Sequence, residues 1–132
     1  MGTVGLAISL LVLSYYTAAS GDERTSSIGY STVAAALEEL SSDPRANVRE
    51  QDGWTIIEVR EAEKRSAVWS FTPSDHPAHP CAVKRTVYEE NGAVMLRTNA
   101  LCQGTKKECD RLMEQFRELE QRIREHIRQG DT

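Results

Sequence analysis

What the chain has little of narrows its class first. Aromatic residues make up only 6% of it and cysteines number three, too few for a small scaffold held together by disulfides in place of a core. No glycine-rich phosphate loop and no closely spaced cysteine pair of the zinc type occurs in it. Basic charge is in the minority. Sixteen Lys and Arg against twenty Asp and Glu leave a formal charge of −4, which argues against a protein whose main work is gripping nucleic-acid phosphates. A length of 132 residues favours one domain, and 39% apolar with 27% charged residues is the balance of a folded domain rather than a disordered one.

The first 21 residues lack charged side chains altogether. Within them, Val4 to Tyr16 is an almost unbroken apolar run. As a helix it covers about 20 Å, short against a hydrocarbon slab of about 30 Å, and right for the apolar region of a secretory signal peptide. The small residues Thr17, Ala18, Ala19 and Ser20 follow and suit cleavage after Ala19 or Ser20. We therefore expect residues 1–20 to be a signal peptide, with an uncleaved anchor as the other reading, and the rest to be exported to the periplasm or the cell exterior. Residues 21–30 are polar and read as a flexible linker, leaving 31–130 as the folded domain.

Apolar spacing maps that domain. Ser31 can cap a short helix running to about Leu40, with Val33, Leu37 and Leu40 on one stripe. Asp52-Gly53 and Asn91-Gly92 are hairpin signals. The first joins strands 47–51 and 54–60, facing Val48 with Ile57. The second joins 81–90 and 93–102. A further strand over 66–72, turning near Glu63-Lys64, puts Trp54, Ile56, Trp69 and Phe71 on one face as the core floor. Thr105 and Glu108 form a capping box opening a long helix, whose stripe is Cys109, Leu112, Phe116, Leu119, Ile123 and Ile127. The fold class predicted is α+β: a single domain with a short N-terminal helix, an antiparallel meander of about five strands, and a long C-terminal helix packed on one sheet face, both helices lying on the same side.

In an exported domain one disulfide is possible, and two pairings have physical support. Cys102–Cys109 would staple the last strand to the long helix, with a short loop to close. Cys81–Cys102 would link opposite positions of the second hairpin, where Cα atoms approach to about 4.5 Å. The first is favoured.

The stretch Asp75-His76-Pro77-Ala78-His79-Pro80-Cys81 is the one place dense in ligand-type side chains. It carries the alternative reading, a metal- or thiol-dependent protein using the His76–Cys81 loop, although the spacing matches no established metal site. A hydrolase built on Ser74, Asp75 and His76 is disfavoured, because triad members come from different elements and no G-x-S-x-G elbow is present. His126 suits the end of the long helix, where its cation would meet the dipole. Glu38-Glu39 and Glu89-Glu90 are sequence neighbours that point apart, unlike an acid–base couple. Over 106–128, seven basic and six acidic side chains interleave as a solvated helix face, not a phosphate-tracking stripe.

What is left is an interaction module: a small, exported, non-enzymatic cell-envelope domain that binds another protein, without cofactor, metal or nucleic acid, touching a membrane only through an uncleaved N-terminal segment. Its partner surface is expected on the sheet face away from the helices, at Ile57, Val59 and Val68. Exposed sheet edges could accept a partner's strand. The narrow stripe of the long helix could also form a dimer seam.

Overall fold

The structure, a computed structural model, describes Gly2 and residues 28–130. The expected signal peptide and most of the linker lie outside those residues. Among the described residues, no helix is long and apolar enough to cross a membrane.

Helix α1 (Val33–Ser41) precedes five strands, β1 (Ala46–Gln51), β2 (Trp54–Ala62), β3 (Arg65–Phe71), β4 (Cys81–Glu90) and β5 (Ala93–Cys102), and helix α2 (Lys106–Arg128) follows. The strands form one antiparallel meander in sequence order, so the chain is a single α+β domain. The two hairpin signals act as expected. Asp52 and Gly53, and Asn91 and Gly92, all take positive φ, the backbone of a two-residue turn that matches strand twist. Val48 consequently faces Ile57, and Cys81 faces Cys102.

The pairing of β2 with β3 departs from expectation. The turn closes as Ala62 opposite Arg65, but the register then shifts between Arg60 and Ala62, so Glu61 is an extra residue and Ile57, not Glu58, faces Trp69. A one-residue bulge moves every later side chain to the other side of the sheet. Trp54 and Ile56 therefore do not share a face with Trp69 and Phe71.

Each sheet face consequently has its own apolar set and its own helix. Under α1, Val33, Ala36 and Leu40 pack on Ile57, Val59, Ala67, Trp69, Phe71 and Ala82. Under α2, Leu112 and Phe116 pack on Cys81, Val83 and Ala78, with Trp54, Ala100 and Cys102 at the margin. The helices lie on opposite faces, not on one. Both partner-surface residues of β2 belong to the first core: Ile57 is 0% and Val59 4% exposed. Val68 is half-buried on the α2 side.

The folded unit also begins earlier than expected. Ile28 is buried in the α1 core, and the Tyr30 ring meets Trp69 edge-on at 5.7 Å. Thr32, not Ser31, caps α1, its hydroxyl accepting the Ala35 N–H. Gln103, from the turn between β5 and α2, reaches across to accept the Val33 N–H at 2.9 Å. Thr105 caps α2 as expected, accepting the Glu108 N–H.

Candidate functional site

Helix α2 covers only part of its sheet face. Its first half packs beside Val83, Ala100 and Cys102. Farther along, Arg124 Nη2 donates to the Leu96 carbonyl at 2.6 Å, which holds the helix along β5. Among the described residues, no helix covers the same face of β1, β2 and β3. At the boundary is a groove of ≈ 320 Å³, walled by Trp54, Ile56, Ser70, Phe116 and Leu119, with Arg85 in its lining and with Arg49, Gln51 and the carboxylate of Asp52 also lining it, from β1 and its turn.

Arg85 is placed by strand alternation. Cys81, Val83 and Arg85 occupy successive positions on the α2 side of β4, opposite Ser70 and Val68 of β3. Its guanidinium carbon lies 5.9 Å from the centre of the Phe116 ring. Its Nε is buried without a hydrogen-bond partner. Burial pulls the guanidinium pKa below its ordinary value, and the negative charge of Glu120 pushes the other way. Among the described residues no carboxylate stands within ion-pair distance of it; Glu120 is committed to Arg124 at 2.6 Å. Burial raises the Glu120 carboxyl, but the neighbouring Thr98 hydroxyl, the hydrogen bond with Arg124 and the charges of Arg124 and Arg85 outweigh this and hold it below its ordinary value. On the rim, Arg49 is paired with Glu58 at 2.8 Å. Of the groove's two guanidiniums, the one without an ion pair is thus the half-buried one, in an aromatic setting where a charge is costly unless it is paired.

The loop between β3 and β4 does not gather its ligand-type side chains. His76 Nδ1 accepts the Ala78 N–H at 3.0 Å, and the ring stands edge-on to Trp54 at 5.3 Å. His79 Nδ1 lies 3.0 Å from Thr72 Oγ1, and that oxygen accepts the Cys81 N–H at 3.0 Å. Cys81 itself is fully buried. Both histidines are engaged in folding the loop, and among the described residues no group of three His, Cys, Asp or Glu side chains is placed to hold a metal ion.

Cys102 and Cys109 are joined, with an S–S distance of 2.07 Å and Cα atoms 5.9 Å apart. Cys81 is a free thiol, and burial alone pushes its pKa up to about 11.

Two residues of this region escaped sequence reasoning. Arg85 carries a signal: it is a charge at an inward position of a strand whose neighbours in that alternation are Cys81, Val83 and Val87. Gln103 carries none, because its role depends on a helix start seventy residues away. Comparison with protein-family models, with curated proteins and with solved structures gave no significant match.

Proposed function

We propose that this is an exported, non-enzymatic domain of the cell envelope that binds another protein through the groove beside α2. The occupant is an extended polypeptide segment carrying a carboxylate next to an apolar or aromatic side chain. The observation that carries this reading is Arg85, a half-buried guanidinium with an unpartnered Nε at an aromatic-lined opening. A carboxylate would supply the missing charge and accept from the guanidinium, and such charge-assisted bonds are the strong ones. An apolar neighbour would cover Trp54, Ile56 and Leu119. A polypeptide fits better than a small acid because β1 is an edge strand adjoining the groove. Its outer backbone groups, which no described strand pairs, can bond an added strand, a recurrent mode of peptide recognition.

Selection from random eight-residue peptides against the full chain, kept in mild detergent, tests this. Enriched peptides should carry Asp, Glu or a free C-terminus beside an aliphatic or aromatic residue. Amidating that carboxylate, or the substitution Arg85→Gln, should each weaken binding tenfold or more, and binding should perturb Trp54 fluorescence. Retention of affinity by amidated peptides would sink the carboxylate reading. Selection of no peptide, or binding of the free acid without its flanking chain, would sink the polypeptide reading.

A further inference from the structure

Cys102 has a neighbouring cysteine on two sides. One is Cys109, to which it is bonded. The other is Cys81, directly opposite it on β4. The next position outward is joined by a hydrogen bond from Gln103 N to Pro80 O, 2.8 Å long. In an antiparallel pair such positions alternate, so Cys81 and Cys102 form a pair without hydrogen bonds of their own, where Cα atoms come to about 4.5 Å. That lies within the span of a disulfide. Both side chains belong to the cluster beneath α2.

We infer that Cys81, Cys102 and Cys109 form an internal thiol–disulfide exchange site, in which the bond moves from Cys102–Cys109 to Cys81–Cys102 and frees Cys109 as the reactive thiol.

The step conserves electrons. Cys81 gives its proton to solvent, and its sulfur attacks Cys102 Sγ. The Cys102–Cys109 bond breaks, its electron pair leaves on Cys109 Sγ, and that thiolate takes a proton from solvent. One disulfide and one thiol exist before and after, so no outside oxidant or reductant is needed. Cys109 suits the leaving role: it is in the first turns of α2, where the helix N-terminus stabilises a thiolate, and a more stable thiolate leaves faster. It is also half-buried, whereas Cys81 is fully buried, so exchange brings the free thiol to a place a reagent can reach.

Attack requires the thiolate of Cys81. With its pKa raised to about 11, roughly one molecule in ten thousand carries it at neutral pH, so exchange is slow there and quickens about tenfold per pH unit. The titratable groups on the surrounding elements are Asp75, His76 and His79 of the loop, Lys84 and Arg85 of β4, and Lys106, Lys107, Glu108, Asp110 and Arg111 around Cys109 on α2. None of their charges contributes to the shift, which burial alone produces.

The test uses the oxidised full chain, incubated with N-ethylmaleimide from pH 7 to pH 9, quenched in acid and mapped with pepsin without reduction. The expected product has alkylated Cys109 and a linked Cys81–Cys102 peptide, forming about tenfold faster per pH unit. In Cys81→Ala, Cys109 labelling should fall at least tenfold with the Cys102–Cys109 link intact. Cys109→Ala should close Cys81–Cys102 in a glutathione buffer that oxidises the parent chain. Alkylation of Cys81 with the original bond retained, equal labelling of Cys109 without Cys81, or no labelling up to pH 9 would overturn the inference.

Discussion

Trp69 faces Ile57 across the β2–β3 pair because Glu61 is one residue more than the ladder needs. Were Glu61 paired in the ladder instead of bulged, counting outward from the turn at Glu63-Lys64 would bring Trp69 opposite Glu58. Deleting Glu61 should therefore leave a regular ladder in which Ile57 still faces Trp69, with Trp69, Phe71 and Ala67 kept under α1 and cooperative unfolding retained. Glu61→Ala keeps the extra residue. It removes only the ion pair with Lys84 at 3.0 Å, and it should cost no more than about 1 kcal/mol. Urea unfolding followed by tryptophan fluorescence checks both. Loss of the cooperative transition on deletion would show that Glu61 is needed by the ladder and is not extra to it.

The same residue marks the limit of what the chain discloses as text. Both hairpin registers follow from Asp52-Gly53 and Asn91-Gly92, since a two-residue turn fixes partners by counting outward. The long helix and its cap at Thr105 follow from spacing and a short-range hydrogen bond. Glu61 offers no such mark, because a bulge at this position needs no special residue type. Counting through it assigned Trp54 and Ile56 to the wrong core and left Ile57 and Val59 looking free. In the fold those two are the floor beneath α1, so a charge at Ile57 should unfold the domain rather than release a partner. Arg85 was legible in principle as a charge among inward positions, but its missing partner is a three-dimensional fact. The Cys102–Cys109 pairing was favoured from loop length, and the opposition of Cys81 to Cys102 came from the hairpin count.

Gly104 joins the β3–β4 loop to the start of α2. A Cβ added there would stand 2.5 Å from the Ala78 carbonyl oxygen, a backbone atom with no rotamer to escape into. Gly104→Ala should cost about 1–3 kcal/mol by forcing the loop away from the β5–α2 junction. Gly92→Ala meets no atom within 4 Å but sits at φ +79, and should cost about 1 kcal/mol through backbone strain alone. Thermal unfolding ranks them. The junction variant should also speed amide exchange at Cys81, whose N–H is held by Thr72 in the adjoining loop.

Gln103 ties the two ends of the domain together by accepting the Val33 N–H. A helix start leaves its first N–H groups without partners, and removing a side-chain acceptor there costs about 0.5–2 kcal/mol. Gln103→Ala should lose stability in that range and accelerate hydrogen exchange at Val33. Gln103→Glu retains an acceptor and adds a negative charge at the helix N-terminus, so it should recover most of the loss. If exchange at Val33 is the same in all three chains, the tie contributes nothing.

Burial of the Cys81 thiol makes stability depend on alkaline pH, and the sign follows from which state holds its proton longer. The thiol has an ordinary pKa of 9.0, raised in the fold to about 11. Below pH 9 both states are protonated and the full benefit of burying a neutral thiol is present. Between 9 and 11 the unfolded chain sheds its proton while the folded chain keeps it, so stability falls as pH rises. Above 11 both are ionised and the slope disappears. The comparison is cleanest with Cys102→Ala and Cys109→Ala already in place, where no disulfide can migrate. In that background the urea midpoint should decline across the window, and adding Cys81→Ala should flatten the part of the decline due to the thiol. Groups common to both chains cancel in the difference. Parallel midpoints from pH 8 to pH 11 would mean the thiol ionises as readily inside the fold as outside it.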